Sequence, residues 1–218
     1  MNEILLEELK KEYDVTMLDI GNDCHLQAGG LEFAIHSYDV KDLGHLCTVQ
    51  MKGLKGIMKM ETAILAAEHY DVPLFNMDRV RVLFNCTQIV ELYDNMLKPL
   101  STAAAERYSN IRKAGPKLKE YRSGEHWYDD LLYPFSYAKK KKGSSVVFDD
   151  ICRQYVYEYL HQLTSAESCD PEEKQLRTAA FAQGLLDNGG PAVNQFRKLF
   201  GEETTRRIVL THMYGIKS

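Results

Sequence analysis

Two acidic residues, Glu61 and Asp78, are the residues of this chain whose type and spacing best suit proton chemistry. Glu61 lies in the extended segment 57–65, Asp78 begins the segment 78–84, and the loop 66–77 joins them. If the two segments pair as an antiparallel hairpin, the carboxylates lie almost opposite each other and share one face of the sheet.

The face that carries Asp78 is largely apolar, because Asp78 alternates with Val80, Val82 and Phe84. Two carboxylates on such a surface cannot both ionise at low cost, so the pKa of one of them should rise. A carboxylic acid that keeps its proton near neutral pH is a general acid. Both residues also have a structural interpretation, in which each one pairs with a neighbouring arginine, lysine or backbone amide.

The elements that must position these residues are a block of strands followed by a block of helices. Strands are predicted at 14–20, 31–37, 45–52, 57–65, 78–84 and 87–93, separated by short turns rich in glycine and asparagine. Connections this short favour antiparallel pairing. This order of elements predicts an α+β protein.

The second half of the chain has helical periodicity, interrupted by one loop. Helices are predicted at the N-terminus, at 98–121, around 151–163, from Pro171 to Asn188, and at 191–199 and 202–214. The loop 122–146 contains Trp127, which either covers a planar ligand or anchors the loop. It also contains the lysine run 139–142, which is either solvated or binds an acidic partner or substrate carboxylates.

Composition limits the classes of function. The chain has 218 residues, 44% of them hydrophobic, which suits a single domain over 1–218. Its net charge of −4 and the absence of a long apolar segment give no indication of nucleic-acid or membrane binding. Five scattered cysteines without a C-x-x-C pair argue against a metal site and predict reduced thiols in the cytoplasm.

A family resemblance enters with the segment 58–95. Its Val72-Pro73-Leu74-Phe75 sequence, followed after two intervening residues by Asp78, resembles a motif of the ferredoxin-dependent bilin reductases. The sequence His45-Leu46-Cys47 is similar to the preceding strand of that family, and residues 186–215 are similar to its closing helices.

The resemblance implies a three-layer α/β/α sandwich with a central antiparallel sheet. It implies an oxidoreductase that binds no organic cofactor and reduces a linear tetrapyrrole, with single electrons from ferredoxin or flavodoxin and protons added to a bilin radical. Asp78 matches the proton-donating aspartate of the family, and Asp187 is a candidate for a second aspartate near the C-terminal helices. Glu61 completes the predicted catalytic set.

We expect His45, Cys47, Phe75 and Val80 to contact the substrate, although His45 also suits a purely structural role. Two positions depart from the family: Glu61 replaces a histidine of biliverdin-reducing members, and Cys47 replaces an acid found in some members. These departures leave open a non-catalytic tetrapyrrole carrier. A third possibility is an α+β protein that acts on an unrelated ligand.

Overall fold

The structure is a computed structural model that describes residues 1–217. Its helices are α1 (Asn2–Glu12), α2 (Thr102–Ala114), α3 (Asp149–Ser165), α4 (Pro171–Asn188) and α5 (Pro191–Arg207), followed by a π-helical segment, Ile208–Met213. Its strands are β1 (Val15–Met17), β2 (His25–Ala28), β3 (Leu31–Val40), β4 (Gly44–Gly53), β5 (Met58–Ala67), β6 (Leu74–Val82), β7 (Asn85–Tyr93), β8 (Lys119–Glu120) and β9 (Tyr137–Lys142). The predicted mixture of an antiparallel sheet with helices is confirmed.

The nine strands form one antiparallel sheet in the order β1-β3-β4-β5-β6-β7-β9-β8, and β2 also pairs with β3. Consecutive strands from β3 to β7 are neighbours, as their short connections require. In the middle of the sheet, β5 and β6 carry the two acids of interest.

Hydrophobic cores lie on both faces of the sheet, since side chains alternate along each strand. On β5, Ala63 and Leu65 belong to the first core, whereas Ile64 and Ala66 belong to the second. The first core includes buried residues of α1, α2 and α3, and the second includes residues of α4, α5 and the π-helical segment. Every central strand is therefore covered by apolar side chains on both faces.

The structure departs from the sequence predictions in several elements. The helix predicted at 98–121 is shorter, because α2 ends at Ala114 and Lys119–Glu120 pair with β9 as strand β8. Strand β2 was not predicted. Strand β6 begins at Leu74, four residues before the predicted start. The predicted loop 122–146 contains β9, because the stretch 137–142 pairs with β7. The lysine run therefore belongs to a strand, and Tyr137, the first residue of β9, is fully buried. The two predicted C-terminal helices form one run that bends at Gly201, whose φ is 79°.

Candidate functional site

A cavity of about 520 Å³ lies between the sheet and the C-terminal helices. Its walls are mostly apolar side chains of the second core, and the sheet forms its floor. The sheet residues that line it are Leu31, Phe33, Val49, Met51, Met58, Met60, Thr62, Ile64, Asn76, Asp78, Val80, Ile89, Glu91 and Tyr93. The opposite wall includes Tyr128, Phe181, Leu185, Val193, Phe196, Met213 and Tyr214.

Five polar residues of the cavity floor form one hydrogen-bonded cluster. The hydroxyl of Thr62 donates to Asp78 Oδ1 over 2.5 Å. The amide nitrogen of Asn76 donates to Asp78 Oδ2 over 2.8 Å and to Glu91 Oε2 over 3.2 Å. The hydroxyl of Tyr93 also donates to Glu91 Oε2, over 2.7 Å. Asn76 thus bridges the two carboxylates.

Strand register explains why these residues meet. Thr62 is directly opposite Asp78 on β5 and β6, and Asn76 is directly opposite Glu91 on β6 and β7. Directly opposed residues of antiparallel strands share a face. Tyr93 follows Glu91 by two residues and therefore lies on the same face.

The surroundings of both carboxylates favour the protonated form. Burial raises the pKa of Asp78, and the hydrogen bonds from Thr62 and Asn76 oppose this only in part. Burial, together with the nearby charge of Asp78, raises the pKa of Glu91 to about 7. Like charges this close resist simultaneous ionisation, which favours retention of one proton by the pair near neutral pH. Such a pair is suited to general acid catalysis.

The predicted partner of Asp78 is wrong. Glu61 is opposite Arg79, not Asp78, and lies on the other face of the sheet. There it forms an ion pair with the amino group of Met1 over 3.0 Å. The prediction placed the pairing one residue out of register, and a slip of one residue moves a side chain to the opposite face. Glu61 is therefore separated from the cavity by the sheet.

The other sequence-predicted residues are scattered: one lines the cavity, one lies across the sheet and one is exposed. Val80 lines the cavity beside Asp78. Phe75 is buried in the first core, across the sheet from the cavity, with its ring centroid 4.9 Å from that of Tyr159. This placement contradicts the predicted substrate contact of Phe75, because neighbouring strand residues point to opposite faces. Asp187 is exposed near the end of α4 and accepts a hydrogen bond from Gln183 over 2.6 Å.

His45 and Cys47 lie on the same face as the cavity but outside its lining. His45 Nε2 donates to the carbonyl of His212 over 2.8 Å, and burial lowers the pKa of the imidazole. Cys47 is fully buried, and burial raises the pKa of its thiol well above the ordinary range. His45 therefore has the structural role that the sequence had left open, and Cys47 is a core residue.

Sequence reasoning missed Asn76, Glu91 and Tyr93. The signal that would have found them is the tight β6–β7 turn at Leu83-Phe84, because a turn this short fixes the pairing of the two strands. That register places Asn76, two residues before Asp78 on β6, directly opposite Glu91 on β7.

The predicted covering loop does contribute to the cavity wall. Tyr128 lines the cavity and packs edge-on against Tyr93, with 5.7 Å between ring centroids. Trp127 anchors the loop instead: its Nε1 donates to the carbonyl of Gly189 over 3.0 Å, and its ring packs on Gly184. A Cβ at Gly184 would lie 2.3 Å from the indole, so this contact requires glycine.

Among known proteins, the chain matches solved structures but no family model or curated sequence. The structure matches that of phytochromobilin synthase from tomato in complex with biliverdin, with a TM-score of 0.71 and 14% identity. The match covers 98% of this chain and 81% of the tomato chain.

This chain has the fold of phytochromobilin synthase. Phytochromobilin synthase is a ferredoxin-dependent bilin reductase, so the resemblance in the sequence is confirmed at the level of the fold. Residues 1–217 contain no cluster of three or more metal-ligating side chains. No helix in this range is long and apolar enough to cross a membrane.

Proposed function

We propose that the protein is an oxidoreductase that reduces a linear tetrapyrrole with electrons from ferredoxin or flavodoxin. The observation that carries the proposal is the hydrogen-bonded pair of Asp78 and Glu91 at the floor of an apolar cavity, where both pKa values are raised. The fold match to a protein that binds biliverdin indicates the class of substrate. We further propose a single domain in the cytoplasm, with its sheet sandwiched between two helical layers.

The cavity suits an extended conjugated molecule. Its volume lies within the range of small-molecule sites, about 300–1,000 Å³, and its walls are apolar and aromatic with few polar groups. The side-chain oxygen of Asn76 is buried and has no donor among residues 1–217.

The chemistry needs two electrons and two protons for each double bond reduced. The donor protein supplies one electron, which converts the bilin to a radical anion. The protonated carboxyl of the Asp78–Glu91 pair then transfers its proton to this radical. A second electron and a second proton complete the reduction, and solvent reprotonates the pair. Hydrogen bonds from Thr62, Asn76 and Tyr93 hold the two carboxyl groups in place.

A non-catalytic tetrapyrrole carrier is the second candidate. The observation that favours it is that neither histidine nor cysteine occurs among the lining residues, so proton transfer depends on two carboxyl groups alone. A carrier would bind the pigment in the same cavity but would not convert it when reduced donor is added. Turnover therefore separates the two functions.

The test is an anaerobic absorbance titration of the protein with biliverdin, followed by addition of reduced ferredoxin. We expect a shifted pigment spectrum on binding, and bleaching toward shorter wavelength after the donor is added. The Asp78→Asn variant should bind the pigment but lose at least about 100-fold in turnover, the size expected for loss of a general acid. The matched control is Glu61→Gln, which changes a carboxylate on the other face and should retain turnover. Binding without donor-dependent bleaching would indicate the carrier, and the absence of binding would refute both functions.

A further inference from the structure

A row of cations crosses the sheet on the face opposite the cavity. Lys52 of β4 is directly opposite Lys59 of β5, and Lys59 is directly opposite Arg81 of β6. The row continues through Cys86 of β7 to Lys141 of β9. Directly opposed residues share a face, so these side chains lie side by side across five strands.

The positive charge of this row is not neutralised by ion pairs. Among residues 1–217, none of the four cationic side chains has a carboxylate oxygen within 4.0 Å, although Glu32 is directly opposite Lys52. Lys52 and Lys59 are exposed, and Arg81 and Lys141 are half-buried. Like charges directly opposed across strands are destabilising. The row therefore costs stability in the isolated chain, and an acidic partner would offset that cost.

Exposed apolar turns lie next to the row. Leu54 and Ile57 flank the β4–β5 turn, Leu83 and Phe84 form the β6–β7 turn, and Phe84 is 80% exposed. The amide of Leu83 donates to the carbonyl of Ile57 over 3.1 Å, so the two turns form one apolar patch. An apolar centre bordered by charges is the composition of a protein-docking surface.

The row also lies directly behind the cavity. Lys59 is flanked along β5 by Met58 and Met60, and Arg81 follows Val80 on β6, and all three of these neighbours line the cavity. Alternation along a strand places them on the opposite face from the cations. A protein bound to the row is thus separated from a bound pigment only by the sheet.

We propose that the cation row and the adjacent apolar turns form the docking surface for a small acidic electron-transfer protein. This inference rests on the proposed reductase function, because an electron donor is the acidic partner that this reaction requires. Complementary charge would steer the donor to the sheet and accelerate its association at low salt. The apolar patch would supply the desolvated centre of the interface.

The test measures binding of oxidised ferredoxin by calorimetry, which does not depend on turnover. The Lys52→Glu/Lys59→Glu variant should raise the Kd for ferredoxin about tenfold or more at low salt, and the difference should shrink at high salt. The control is Lys10→Glu/Lys41→Glu, because both residues are exposed and Lys41 lies at the opposite end of the sheet. The control should leave the Kd unchanged. A second variant, Phe84→Ser, should weaken binding at all salt concentrations.

Two further measurements test the docking surface independently of the proposed reductase function. The Kd for biliverdin, and bleaching of bound biliverdin by dithionite, should be the same in the native protein and in the charge-reversal variant. Equal ferredoxin affinity in both proteins would overturn the docking surface and leave the reductase proposal intact. Loss of sedimentation with phosphatidylserine vesicles, without a change in ferredoxin affinity, would assign the surface to a membrane and overturn the proposal. If ferredoxin binds through the cation row but bound bilin is not reduced, the docking surface would stand and the proposed reductase function would be contradicted.

Discussion

At the scale of single residues, the site depends on two half-buried carboxyl groups on the apolar floor of the cavity. The pKa of Glu91 is raised to about 7 by burial and by the charge of Asp78. Two hydrogen-bond donors, Asn76 and Tyr93, contact the same oxygen of Glu91. The other carboxyl oxygen of Glu91 is the natural position of the proton that the pair retains.

The raised pKa of Glu91 predicts a pH dependence of stability. Below about pH 4.5 the group is protonated in both the folded and the unfolded chain, so it causes no loss of stability. Between about pH 4.5 and 7 the folded chain binds more protons than the unfolded chain, so the free energy of unfolding falls as pH rises.

Replacement of Glu91 by Gln should remove this dependence, because the amide does not ionise. We expect Glu91→Gln to unfold with a free energy on the order of 1–3 kcal/mol higher than that of the native protein at pH 8. The two proteins should be similar at pH 5. Urea unfolding at the two pH values measures the difference, and parallel pH profiles for both proteins would show that Glu91 is ionised at an ordinary pKa.

At the scale of elements, the site is produced by strand register. The sequence was sufficient to predict β3, β4, β5 and β7 within a few residues, because turn residues separate apolar runs. It was not sufficient to predict the β5–β6 register, because the connection between Ala67 and Leu74 has no turn type that fixes the pairing. Asp78 does line the cavity, but the partner predicted for it lies on the other face of the sheet.

The lysine run shows the same limit of sequence reasoning. Four consecutive lysines have low strand propensity, so the run was predicted as a loop. Pairing with β7 overrides this preference and directs alternate lysines to opposite faces. Lys140 shares the cavity face with its partner Thr87, and its ammonium group lies 5.7 Å from the ring centroid of Tyr121, which lines the cavity. Lys139 lies on the other face and pairs with Glu120.

This alternation predicts different roles for neighbouring lysines. Lys140→Ala should raise the Kd for biliverdin about three- to tenfold, because a cation beside the lining residue Tyr121 would pair with a propionate of the pigment. Lys139→Ala removes a cation from the same strand and should leave the Kd unchanged. Absorbance titrations with biliverdin and with its dimethyl ester measure the effect, and Lys140→Ala should not alter affinity for the ester. An equal loss for both ligands would show that Lys140 only supports the fold.

At the scale of the whole molecule, the sheet separates two surfaces with different chemistry. One face, with α4, α5 and the π-helical segment, encloses the cavity and its acidic pair. The other face carries the first core and, beyond it, the row of cations. Fold comparison reaches this scale well, since the match to the tomato protein covers 98% of the chain.

The proposed reductase function requires the Asp78–Glu91 pair to supply the proton for reduction of a bilin. The most direct test is the single-turnover rate of bound biliverdin with excess reduced ferredoxin, measured from pH 5.5 to 9. We predict a rate that is constant at low pH and falls about tenfold per pH unit above about pH 7, as the pair loses its proton. A rate that stays constant across this range, or the absence of any reduction of the bound pigment, would contradict this proposal.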